Sequence, residues 1–244
     1  MRKIKAFSSY LTNQPRKNLA KAALCLLFLV IDLMVTLFFI LTSFQTGRFQ
    51  DTGILFLLDL VIIPCSLVGF YFYLHKFHVF NGGLQGEKQV VKLLSRSLSD
   101  DYFLINSLYL QGGGGDIDHI VLAPAGVFVL ETKNWSGTII NQGDQWKRLG
   151  KSGSGSSPSN QVKRNVTRIR QIIDSSPNLH YLGIGVEGIV VLTNKNSKFQ
   201  LINPTVTILK LPQLPNYILN RGSQRRFSSD QLEAIAREIT KQKA

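Results

Sequence analysis

The chain of 244 residues carries 28 lysines and arginines against 15 aspartates and glutamates, a net charge of +13, yet 44% of it is hydrophobic and its mean hydropathy is +0.08. That much charge spread evenly would make the chain hydrophilic, so the apolar residues must be concentrated in one region. Disorder and a disulfide-stapled scaffold are excluded, and so is a cysteine-rich metal site, because the two cysteines, Cys25 and Cys65, both lie inside apolar runs.

The apolar excess lies before Phe80. Residues 1–80 hold eight basic side chains (Arg2, Lys3, Lys5, Arg16, Lys17, Lys21, Arg48, Lys76) and three acidic ones (Asp32, Asp51, Asp59), a net of +5. The rest of the chain, 81–244, carries +8, an ordinary count for one basic domain. From Leu19 to Phe44 the sequence is almost wholly apolar, and between Leu24 and Leu41 its only charge is Asp32. At about 1.5 Å per residue this run is long enough to cross a bilayer core of roughly 30 Å. Gly53 to Leu74 is a second such run, interrupted by Asp59 and Pro64. The predicted element is a transmembrane helical hairpin with spans at about 20–43 and 53–74 and a short polar linker, Gln45 to Thr52. A cleaved signal peptide is excluded, since its apolar core runs to roughly 7–15 residues and no second run follows it. Six basic and no acidic residues precede the apolar stretch at Leu24, and Lys76 follows the second run. Basic residues at span ends stay on the cytoplasmic side, so the prediction is an inner-membrane protein with both termini and residues 81–244 in the cytoplasm. Asp32 and Asp59 are expected to face each other, a partner helix or the headgroups, because two spans build no sizeable ion path.

Asn81-Gly82-Gly83 is predicted to break the second helix, and a new one follows in which Glu87 shares a face with Val90, Val91, Leu94 and Leu98. Tyr102 to Leu110 reads as a strand and Gln111 to Gly115 as a glycine-rich turn. Two further strands, Ile117 to Leu122 and Val127 to Lys133, flank a Pro124-Ala125-Gly126 turn, and a hairpin follows from Gly137 to Leu149 with its turn at Asn141 to Asp144. Lys151 to Asn160 has the composition of a flexible loop, either slack or a lid over substrate. Ser159 is the expected cap of a helix whose stripe is Val162, Val166, Ile169 and Ile173. Strands at Ile184 to Thr193 and Thr205 to Leu209, then an amphipathic helix at Ser229 to Lys241, complete an α/β domain with a central mixed sheet.

Asp116 and Asp118 are two apart at the start of one strand, and Glu131 and Lys133 are two apart at the end of the next, so each pair points to one side of the sheet. If these strands pair, a carboxylate from each converges on one point, with an ammonium about 7 Å along from Glu131. Two carboxylates, a carbonyl such as that of Thr132 and several waters are what Mg²⁺ or Mn²⁺ accepts, and Lys133 would then orient a water or neutralise a phosphate. Each pair read singly is also a solvated ion pair or a turn; their joint occurrence is the signal.

The succession Gly86-Glu87, then Gly115-Asp116-Ile117-Asp118-His119-Ile120, then Glu131-Thr132-Lys133-Asn134-Trp135-Ser136-Gly137, then Gln161 at a helix start, resembles the nuclease-related domain (NERD) family of the PD-(D/E)XK nuclease superfamily. The resemblance covers about Gly83 to Thr193 and implies a restriction-endonuclease-like core of helix, three strands, helix, strand. It implies that Asp118 and Glu131 are metal ligands, Lys133 the catalytic lysine, Glu87 a helical acid completing the metal site and Gln161 a polar residue facing it; Asp116 has no firm counterpart. It also implies a Mg²⁺-dependent hydrolase of nucleic acid, with DNA the expected substrate, or a catalytically silent binding module on the same scaffold. Cutting both strands of a duplex would suit a homodimer.

His119 points away from Asp118 and is expected to be packed, or to support a metal ligand from behind, rather than to be a ligand itself. Trp135 and Trp146 either stack on a base or pack under the hairpin. Lys163, Arg164, Arg168 and Arg170 on the Gln161 helix, and a second cluster of Arg221, Arg225 and Arg226, suit a phosphate backbone or an anionic lipid surface equally; Lys163, Arg164 and Arg168 are the expected nucleic-acid contacts.

Overall fold

The computed structural model describes residues 1–5, 9–47, 52–110, 115–150, 156–222 and 226–241. The chain divides into two compact units, Ser9–Gly82 and Met1–Ser8 together with Gly83–Ala244.

The first unit consists of α1 (Ser9–Thr46) and α2 (Thr52–Ser97) up to Gly82. Both helices are long and apolar enough to cross a membrane, and their apolar stretches are not buried within the protein. Met34 and Leu60, for example, stand 66% and 73% exposed, an arrangement that water would penalise and lipid would not. The helices approach closely at Gly69, where a Cβ would lie 3.0 Å from Cys25 Sγ. Asp59 accepts the Thr36 hydroxyl at 3.0 Å on each carboxylate oxygen, and Asp32 meets the same carboxylate, so the two acids do face each other.

Two expectations are corrected here. The helix does not break at Asn81-Gly82-Gly83: α2 is helical through to Ser97. Glycine costs about 1 kcal/mol in a helix interior, and the buried stripe of Val90, Val91, Leu94 and Leu98 that follows outweighs it. The basic N-terminal arm is not merely a charged tail. Arg2–Lys5 form β1, which pairs in parallel with β2 (Phe103–Tyr109) at one edge of the sheet.

The second unit is an α/β domain around a six-stranded mixed sheet. In addition to β1 and β2 it contains β3 (Asp116–Ala123), β4 (Gly126–Lys133), β5 (Gly137–Gln142), β6 (Gln145–Arg148), α3 (Pro158–Ser175), β7 (Val186–Leu192), β8 (Ser197–Ile202), β9 (Thr207–Lys210), α4 (Leu214–Leu219) and α5 (Ser229–Lys241). The large sheet has the order β1-β2-β3-β4-β7-β9; β2, β3 and β4 are antiparallel in turn, and β4, β7 and β9 run parallel. The expected hairpin, β5 and β6, joins β8 in a separate three-stranded sheet, and β8 and α4 carried no clear signal in the sequence.

Each face of the large sheet has its own core. Ile120, Leu122, Val127, Val129 and Val190 pack with Val162, Ile169 and Ile173 of α3 and Leu232, Ile235 and Ile239 of α5. Val121, Phe128, Leu130 and Val191 pack with the Val90 to Leu98 stripe of α2 and with Leu214 and Ile218 of α4. The parity of the strands puts Asp118 and Glu131 on the α3 face and His119 on the opposite one. The N-cap of α3 is Ser157, whose Oγ accepts the Asn160 amide at 3.3 Å, and Pro158 occupies the first turn. Ser159, the expected cap, is buried and accepts the Trp146 indole N–H at 2.9 Å.

At Gly188 on β7 a Cβ would stand 3.0 Å from methyl groups of both Val162 and Val166, so the absence of a side chain sets how closely α3 seats on the sheet. Gly188→Ala should destabilise this unit by about 1–3 kcal/mol, the usual cost of overpacking. Denaturant unfolding of the full chain in detergent, followed by tryptophan fluorescence, measures it, because Trp135 and Trp146 are the only tryptophans and both belong to this unit.

Candidate active site

The site begins where two strands part. The β3–β4 ladder ends at the pair His119–Leu130, although β3 extends back to Asp116 and β4 on to Lys133. Beyond that pair β3 stays with β2 as far as Tyr109–Asp116, and β4 stays with β7 as far as Lys133–Leu192. The result is a fork with Asp116 and Asp118 on one prong and Glu131 and Lys133 on the other. Thr132 has lost its ladder partner across the fork, and its amide donates instead to Asp118 Oδ2 at 2.6 Å. Glu131 is buried, and its Oε1 lies 2.7 Å from Lys133 Nζ.

A third carboxylate comes from α2. Gly86 allows the approach: a Cβ there would stand 2.8 Å from Thr193 Oγ1 and 3.0 Å from Asn134 Cβ, the residues that follow β7 and β4. The next residue, Glu87, is buried at 7% exposure, and its Oε2 has no hydrogen-bond partner. Burial, reinforced by the charges of Asp116 and Glu131 and only partly offset by Lys133, pushes the Glu87 carboxyl up to about 8. Burial also raises Asp118, with Glu131 and Glu87 adding to the effect while the Thr132 N–H and Lys133 oppose it. Glu131 is raised by burial as well, against the pull of Lys133. Three carboxylates thus share one lysine, a surplus of negative charge in a low-dielectric place.

The remaining expected residues are dispersed. Gln161 lies in the first turn of α3, and its Oε1 is buried without a hydrogen-bond partner. Arg164, one turn further along the same helix face, acts on Glu131, lowering its pKa. Lys163 and Arg168 are otherwise engaged. Lys163 Nζ binds both oxygens of Asp144 at 2.7 and 2.8 Å, and Arg168 donates to the carbonyls of Gly115 and Leu110, each at 3.2 Å. Of the three expected nucleic-acid contacts, only Arg164 is turned toward the acids. Asp116, for which the family pattern offers no role, acts electrostatically on both Glu87 and Glu131, as its spacing from Asp118 suggested.

His119 is fully buried, its Nδ1 is 2.9 Å from Asn106 Oδ1, and burial takes it down to about 3, so it is neutral and packed. Trp135 and Trp146 meet edge to face at 5.9 Å, and the Arg148 guanidinium lies 5.1 Å over the Trp135 ring, so their faces are largely occupied by protein. The structural roles of Gly86 and Arg148 had no sequence signal beyond the residue types. The lid expectation falls mainly on residues 151–155, outside the described residues, as do Arg225 and residues 111–114 of the glycine turn.

Hard oxygen donors, two of them orphaned at Glu87 and Gln161, match a divalent cation of the magnesium class. Among the described residues no three Asp, Glu, His or Cys side chains already stand as a ligand set, because Glu131 is turned onto Lys133 and Asp118 onto the Thr132 amide. Two carboxylates completed by waters suffice for Mg²⁺, so the donor set fits such an ion once the Glu131–Lys133 pair opens.

The fold and the site define an α/β domain whose forked mixed sheet gathers several acids around one lysine. Residues 82–193 match the nuclease-related domain, NERD, a family within the PD-(D/E)XK-like nuclease superfamily. An uncharacterized protein of Bacillus anthracis is 33% identical over 99 residues, which are 38% of this chain and 47% of that protein. The chain therefore spans about half the length of the curated relative it matches. No solved structure matches the chain significantly.

The raised carboxyls fix the sign of a pH effect. Glu87 has a folded pKa of about 8 against an ordinary 4.5, so its contribution to folding is complete below pH 4.5 and is lost as pH rises through 8. Asp118 and Glu131 are raised too and act in the same direction. Metal-free protein should therefore lose thermal stability between about pH 4.5 and 8, and Glu87→Gln should flatten that decline and melt higher at the alkaline end of it. Tryptophan-monitored melts in EDTA decide it; an unchanged slope in the variant refutes the assignment.

Proposed function

We propose that the chain is a membrane-anchored, Mg²⁺- or Mn²⁺-dependent nuclease that hydrolyses phosphodiester bonds of DNA. The observation that carries this is the fork, which gathers Asp118, Glu131 and Lys133 at the open end of β3 and β4 within the segment that matches a nuclease-related family. The helix, three strands, helix, strand order of α2, β2–β4, α3 and β7 is read as a restriction-endonuclease-like core. Asp118 and Glu131 are the proposed metal ligands, with Glu87 completing or supporting them. A divalent cation, when bound, supplies positive charge beside the scissile phosphate and makes the attacking water more acidic. Lys133, released from Glu131, orients that water, and Gln161 offers its orphaned Oε1 as an acceptor to water or substrate. Arg164 is the proposed phosphate contact on α3, and two copies would be needed for a double-strand cut.

One observation favours the second reading, a binding module without turnover: Glu131 and Lys133 satisfy each other at 2.7 Å. The deciding experiment uses the full chain in detergent, because a fragment starting at residue 81 would lack β1. Incubated with linear and branched DNA plus Mg²⁺ or Mn²⁺, the wild type should cleave, and Glu131→Ala and Lys133→Ala should each lose at least about a hundredfold, the usual contribution of a positioned catalytic group. Cleavage that persists in both variants overturns the nuclease reading. DNA retention without cleavage, and with no Mg²⁺ uptake, selects the binding module.

The hairpin is proposed to anchor the domain in the inner cell membrane with both ends on the cytoplasmic side. The chain should resist alkaline carbonate extraction from membranes. A cysteine placed at Gln45 in a Cys25→Ala, Cys65→Ala background should be labelled by an impermeant maleimide from the non-cytoplasmic side only; labelling from the cytoplasmic side reverses the topology.

A further inference from the structure

The parallel strands β4 and β7 end at the acidic fork and begin at a cavity of about 830 Å³. It draws together the two basic clusters that the fork leaves unused, through Arg170 of α3 and Arg221 beyond α4. Arg170 donates to the Val186 carbonyl at 2.9 Å and, among the described residues, pairs with no carboxylate. The acid of the cavity, Glu187, is met by protein donors: Arg221 Nε at 2.9 Å, the Thr207 hydroxyl at 3.2 Å and the Tyr217 hydroxyl. The cavity therefore carries an excess of positive charge.

Two further features point to the kind of anion. Tyr181 presents a ring 65% exposed on the cavity wall, edged by His180 at 5.6 Å between ring centroids. At Gly185 and Gly222 a Cβ would meet no atom of the described residues within 4 Å, so the wall they form is bare backbone that a ligand can approach closely. Guanidinium groups bind phosphate in bidentate fashion, and an exposed aromatic ring offers a stacking face to a planar base. The volume falls in the range of small-molecule sites, roughly 300–1,000 Å³.

We propose that this cavity binds a free mononucleotide, its phosphate held by Arg170 and Arg221 and its base laid against Tyr181. The site is separate from the acidic fork and does not depend on the nuclease reading.

Equilibrium titration of the full chain in detergent with AMP, inorganic phosphate and a short DNA oligonucleotide tests it. AMP should bind saturably, at least about tenfold more weakly in Arg170→Ala and in Gly222→Phe, which fills the cavity from an unobstructed position. Tyr181→Ala removes an exposed ring with no cost to the core; it should weaken AMP while leaving phosphate affinity unchanged. The proposal is overturned if the wild type shows no saturable AMP binding, or if Arg170→Ala and Gly222→Phe bind AMP as the wild type does. It is overturned too if Glu131→Gln or Lys133→Ala abolishes binding, which would place the nucleotide at the fork. Displacement of AMP by the oligonucleotide, with the same dependence on Arg170, would assign the cavity to a strand of nucleic acid instead.

Discussion

A backbone amide without a strand partner organises the candidate site. Once β3 turns away with β2 and β4 continues with β7, the N–H of Thr132 has no carbonyl opposite it. An unsatisfied buried amide costs about 1–3 kcal/mol, and Asp118 meets the need with a carboxylate rather than a neutral acceptor. The side chain that closes the end of the ladder is therefore the one that brings negative charge to it. A carboxylate held in this way is fixed by the main chain of the neighbouring strand, a firmer anchor than another side chain can provide.

The electrostatics follow from that placement. The chain as a whole is strongly basic, yet around the fork three carboxylates face one lysine, and Glu87 is so desolvated that its carboxyl is held near neutral pH. Such an arrangement opposes folding unless something else compensates, and the cores on the two faces of the sheet do so, with Leu130 on one side and Val129 on the other completely buried beside the acids. Positive charge delivered to the fork would be stabilised by every one of these groups at once.

Much of this was legible in the sequence, for a reason specific to strands. Side chains alternate with a period of two, so the spacing Asp116-x-Asp118 and Glu131-x-Lys133 fixed which residues share a face before any pairing was known. The apolar runs before Phe80 and the helical stripes of α3 and α5 were equally plain. What was hidden depends on tertiary contacts. RKIK has no alternating pattern, so β1 exists only because β2 offers an edge. Asn81-Gly82-Gly83 reads as a break by propensity, and α2 runs through it because the residues that follow are buried. Lys163 and Arg168 look like phosphate ligands from charge alone, and the sequence held no hint that Asp144 and two carbonyls would claim them.

The strand β1 makes the helical hairpin an insertion within the chain path of the α/β unit. The unit containing the fork receives the chain twice, through β1 ahead of α1 and through Gly83 within α2. The 74 residues of Ser9–Gly82 are excluded from the sheet, and the segments on either side of them belong to the same unit. Closing such a loop costs entropy that grows only slowly with its length, so a long helical insertion near the amino terminus is inexpensive for the fold.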